Sequence, residues 1–124
     1  MLKFQTSVYG GSAATPEPLP VTFEQALAAL EQLDRLFIEP DGSFVWRGSV
    51  SGGGAWQVDG NLIDRGDCLA YVELKGCCLA EQFDMLLAAF GWPTAKLMFQ
   101  LPQRGVFLEE AEFRRLAASA AGAI

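Results

Sequence analysis

A chain of 124 residues, 51% hydrophobic and 19% charged, has the length of one domain and carries too much apolar surface to remain disordered. Its apolar runs, such as Met85 to Phe90, fall far short of the roughly 20 residues that cross a bilayer, so no membrane partner is expected. Nine Lys and Arg against fifteen Asp and Glu give a net charge of −6, which repels phosphate backbones and argues against nucleic acid.

The first residues, Met1-Leu2-Lys3-Phe4-Gln5, lack the charged start and apolar run of a secretory signal, so a cytoplasmic location is the expectation. Leu2, Phe4, Thr6 and Val8 then alternate with Lys3, Gln5, Ser7 and Tyr9, the period of a strand with one buried face. Residues 10–20 gather two Gly and three Pro and predict a surface connection without regular structure. Thr22 and Gln25 have capping-box spacing, with Val21 ahead as a hydrophobic staple. Phe23, Leu27, Leu30, Leu33 and Phe37 recur at helical spacing, which predicts one amphipathic helix ending before Pro40.

Three strands joined by glycine turns follow. Taking Gly52 to Gly54 as a three-residue loop sets Phe44 opposite Leu62, Trp46 opposite Gly60 and Val50 opposite Trp56. On the other face it pairs Arg47 with Asp59 and Ser49 with Gln57. A second loop at Asp64-Arg65-Gly66 sets Leu62 opposite Cys68 and Val58 opposite Val72. A second helix is predicted over residues 79–90, stopped by Gly91. Residues 96–101 read as a strand, Pro102-Gln103-Arg104-Gly105 as a turn, and Val106 to Leu108 as a short returning strand. A third helix starts near Glu109; its Ala-rich end, residues 117–124, has nothing large to bury before Ile124 and is expected to fray. The order strand, helix, three-strand meander, helix, one or two strands, helix predicts a single α+β domain over residues 1–124. Its sheet is mainly antiparallel, with the helices on one face.

The chain has no histidine, which removes the commonest general base and metal ligand together. No catalytic residue, metal site or cofactor is therefore assigned. The three cysteines, Cys68, Cys77 and Cys78, fit no zinc spacing, and two are adjacent, which strains a direct bridge. Reduced thiols are expected. Cys77 and Cys78 precede the second helix, whose dipole lowers a thiol pKa, but a buried, inert cysteine is the commoner outcome; Cys68 is placed on the apolar sheet face.

Ser51-Gly52-Gly53-Gly54 joins two strands and lacks the Lys-Ser/Thr of a phosphate loop. Asp59-Gly60-Asn61 with Asp64 lacks calcium-loop spacing, and Arg65-Gly66-Asp67 reads as turn chemistry. The polar face of the meander is more informative. The register places Arg47, Asp59 and Tyr71 in one row and Ser49, Gln57 and Glu73 in the next. Arg47, Gln57, Asp59, Tyr71 and Glu73 are thus the ligand-binding candidates, against the alternative of a solvated outer face. Glu17, Glu24, Glu31, Asp34, Glu39 and Asp41, with Arg35 as the only nearby cation, make a second candidate contact surface.

No motif assigns the chain to a family. The favoured reading is a non-catalytic protein-binding or adaptor module with a basic protein as partner. The alternative is a small ligand-binding domain or enzyme on the polar face, with Asp59 or Glu73 as acid or base and Arg47 holding an anion. An apolar surplus in the second half, including Met85, Trp92, Leu97 to Phe99, Leu101, Val106 and Phe107, predicts a homodimer.

Overall fold

The alternation at the start of the chain produces β1 (Leu2–Gly11), in which Leu2, Phe4, Thr6 and Val8 are buried. The computed structural model describes residues 1–12 and 14–122. β1 lies inside the sheet rather than at its edge. It runs antiparallel to β6 (Leu69–Cys78) on one side and to β7 (Met98–Leu101) on the other. With β3 (Leu36–Ile38), β4 (Ser43–Ser49), β5 (Ala55–Asp64) and β8 (Val106–Glu109), the strand order is β3-β4-β5-β6-β1-β7-β8. Every neighbouring pair is antiparallel. The helices α1 (Phe23–Glu31), α2 (Ala80–Ala88) and α3 (Glu110–Gly122) back one face, so the α+β class expected from the element order is what the chain adopts.

The proline-rich connection is not wholly irregular. A two-residue strand, β2 (Pro16–Glu17), pairs with Gly10 and Gly11 of β1, where the absence of side chains lets it lie close. Thr22 and Gln25 form the expected capping box: each side chain accepts the other's backbone N–H, at 3.0 and 2.9 Å. α1, however, stops at Glu31, and Leu33 and Phe37 leave its stripe. Arg35 takes a left-handed conformation (φ 65°) that redirects the chain, and the Trp46 indole N–H donates to the Asp34 carbonyl at 2.9 Å. The aromatic and β-branched residues beyond this bend then form the edge strand β3, where Phe37 is 66% exposed.

Both hairpin registers differ from the expectation. Phe44 faces Gly60, Trp46 faces Val58 and Gly48 faces Trp56, so Arg47 lies opposite Gln57 and Asp59 opposite Val45. The cause is steric. A Cβ on Gly60 would fall 2.1 Å from the Phe44 ring, and one on Gly48 would fall 2.3 Å from the Trp56 ring. Each bulky ring thus lies over a glycine on the facing strand, and the loop lengthens to residues 50–54 to allow it. In the second hairpin Leu62 faces Val72, Val58 faces Gly76 and Asp59 faces Lys75, an opposite-charge pairing across the strands. The turn closes through Arg65 N–H on the Cys68 carbonyl at 3.1 Å, which leaves Cys68 half-buried in the loop instead of on the apolar face.

Gly60→Ala is accordingly expected to lower stability by about 1–3 kcal/mol, because the Phe44 ring must leave its site. Urea unfolding measures it, and a loss too small to resolve would contradict the ring-over-glycine register.

Phe4, Phe83, Phe99 and Phe113 join the helical layer to the sheet, with Phe99 and Phe113 stacked at 4.5 Å between ring centres. Arg114 fastens α3 to α2, donating to Glu110 at 2.9 Å and to Asp84 at 2.7 Å while its guanidinium stands over the Phe83 ring. The Trp92 indole donates to the same Glu110. α3 is helical through Gly122; Ile124, the residue on which the expected fraying turned, lies outside the described residues. Leu97, Met98 and Phe99 are buried within the chain itself, so the apolar surplus behind the homodimer expectation shrinks, with Met85 and Val106 its most exposed members. No helix among the described residues is long and apolar enough to cross a membrane.

Candidate functional site

The strand alternation puts Arg47, Gln57, Asp59, Tyr71 and Glu73 on the sheet face away from the helices, as read from the sequence, but in different rows. Arg47 shares a row with Gln57 and Cys77, Asp59 with Lys75, Glu73 with Asn61 and Ser7, and Tyr71 with Ile63. Arg47 and Glu73 are two strands and two pleats apart, roughly 17 Å by strand spacing and rise. The Gln57 amide donates to Asp59 at 2.9 Å. Tyr71 instead stacks on Tyr9, 5.0 Å between ring centres, and Phe107 meets Tyr9 edge-on at 5.4 Å. Burial in this aromatic cluster, with Tyr71 close by, pushes the Tyr9 hydroxyl above its ordinary pKa. Of the five candidates, Asp59 and Glu73 line one open hollow of about 290 Å³, with Gln5, Ser7 and Lys75.

A larger groove, about 560 Å³, runs beside the first half of β1. It exists because β7 is too short. β7 pairs with Ser7, Val8 and Tyr9 only; Leu101 then uses its carbonyl to accept the N–H groups of Arg104 and Gly105, closing the turn into β8. Pro102, which has no N–H, follows immediately. The Thr6 hydroxyl caps the interrupted ladder by donating to the Gln100 carbonyl at 2.9 Å. From Leu2 to Thr6, therefore, β1 has β6 on one side and, among the described residues, no strand on the other.

On the helix side the groove is walled by Phe4, Phe113, Leu116 and Ala117, and at its rim stand Lys3, Lys75 and Arg104. Three of the chain's nine cations line this one groove and no carboxylate does. None of the three makes an ion pair within 4.0 Å among the described residues, although Lys75 lies opposite Asp59 in the ladder. Sequence reasoning missed this site: its cations belong to β1, β6 and the β7–β8 turn and meet only through the placement of β1.

Cys77 also lines the groove, half-buried, whereas Cys78 is wholly buried on the core face. Both stand at the end of β6 and not on the first turn of α2. Burial, reinforced by the neighbouring Cys77, pushes the Cys78 thiol up to about 12, the opposite of what a nucleophile needs. Among the described residues no group of His, Cys, Asp and Glu is arranged to hold a metal ion. The arrangement can hold an anion against an apolar wall. No family model matches the chain, and no curated protein or solved structure matches it significantly.

Proposed function

We propose that the protein is a non-catalytic binding module whose groove beside β1 receives a partner that is anionic on one side and apolar on the other. The observation that carries this reading is the concentration of Lys3, Lys75 and Arg104 around an apolar wall in a chain of net charge −6. Overall charge pointed to a basic partner, but the groove itself is lined by three cations and no carboxylate, with Asp59 and Glu73 in the adjoining hollow. A docked group feels most strongly the charges nearest to it, within a Debye length of about 8–10 Å. The groove's volume is within the range of about 300–1,000 Å³ typical of ligand sites.

The apolar dye anion anilinonaphthalene sulfonate tests the reading. Replacing Lys3, Lys75 and Arg104 together by Glu is expected to weaken its binding by about tenfold or more. Replacing Arg47, Arg65 and Arg115 by Glu makes the same change in net charge away from the groove and is expected to leave binding nearly unchanged. Equal losses in the two variants would overturn the proposal. The one feature that favours a site on the open face is the hollow holding Asp59 and Glu73; binding of a cationic dye that is lost on Asp59→Asn with Glu73→Gln, with anionic dye binding indifferent to the groove variant, would move the site there.

A further inference from the structure

We infer that the occupant of the groove is an extended peptide segment that adds to β1 as a strand, with apolar and acidic side chains in alternation. The inference rests on the groove being a binding site and adds what binds. Its independent basis is the backbone. In an antiparallel ladder successive residues direct their N–H and C=O groups to opposite sides. Between Leu2 and Thr6 those directed away from β6 face no strand among the described residues. This stretch of five residues is about 17 Å long at strand rise, enough for a peptide of similar length. A strand placed there continues the line of β7 beyond the point where Pro102 turns it away.

The two sides of that strand would meet different surfaces. Side chains directed towards the helical layer reach Phe113, Leu116 and Ala117; those on the other face lie beside Lys3, with Lys75 and Arg104 within reach of a carboxylate. Because side chains alternate at every residue of a strand, the recognised sequence alternates too. The same geometry disfavours a second copy of this chain. Two β1 edges brought together about a two-fold axis would set both copies of Lys3, Lys75 and Arg104 close to one another without a carboxylate in the groove to neutralise them.

The experiment titrates the full chain with the acetylated and amidated peptide Leu-Glu-Leu-Glu-Leu, followed by calorimetry and by hydrogen exchange. Two controls keep its composition: a block order, Leu-Leu-Leu-Glu-Glu, and the alternating peptide N-methylated at every second amide. The alternating peptide is expected to bind about tenfold or more tightly than either control, and to slow exchange at the outward amides between Leu2 and Thr6. Equal binding of the N-methylated peptide, or binding without slowed exchange, would overturn strand addition. If the dye binds through Lys3, Lys75 and Arg104 and the alternating peptide does not bind, strand addition falls and the groove reading stands. Failure of both ligands overturns both.

Discussion

Phe113→Ala is expected to lower the stability of the protein by about 3–5 kcal/mol, the usual cost of truncating a buried aromatic ring. Phe113 is 1% exposed and stacks at 10° from parallel on Phe99, with the Phe4 and Phe83 ring centres 6.3 and 6.0 Å away. Its removal leaves a void next to the groove and takes away the main anchor of α3, leaving Ala117 as the other buried residue of that helix among those whose burial is described. Denaturant unfolding reads the loss, and a change below about 1 kcal/mol would show that α3 does not depend on the ring. Leu116→Ala is the paired control. Leu116 is 42% exposed in the same wall, so its truncation is expected to leave stability within about 0.5 kcal/mol while weakening the dye.

A second large effect belongs to alkaline pH. Burial holds the Cys78 thiol protonated up to about 12 in the folded chain, whereas in the unfolded chain it titrates near its ordinary value of 9.0. The raised folded value means that the associated stability is fully present below pH 9, because both states then carry the proton. Above that point the unfolded state loses its proton first and is favoured, by up to roughly 1.4 kcal/mol for each further pH unit until the folded thiol also titrates. Cys78→Ala lacks this dependence. Wild-type stability is therefore expected to fall more steeply than the variant's between pH 9 and pH 11, on top of a constant offset from the lost side chain. Parallel pH profiles for the two proteins would refute the assignment.

The elements whose signals are local were legible in the sequence. The Thr22–Gln25 capping box needs only its own four residues, the turn before Val106 is marked by Pro102 and Gly105, and the sheet faces follow from alternation. The rows were not legible, because a shift of two or four residues leaves every side chain on the same face. The information that fixes the first hairpin was present in Phe44 with Gly60 and Gly48 with Trp56, but it acts through ring volume rather than through charge pairing. The candidate site was less accessible still. Arg47 and Asp59 can be compared within one hairpin, whereas Lys3, Lys75 and Arg104 come together only once β1 is known to lie between β6 and β7.

That placement of β1 also governs the order in which the molecule can be built. During translation the residues of β1 leave the ribosome well before their ladder partners at residues 72–78 and 98–100. The meander of β4, β5 and β6 can close from neighbouring sequence, and so can the hairpin of β7 and β8, but these two pieces share no ladder of their own. The seam that joins them, β1, is made before either piece, so cooperative folding waits until residues 98–100 have been made. High contact order makes that step slow, and until it is taken the apolar side of β1 stays open to the other proteins of the cell.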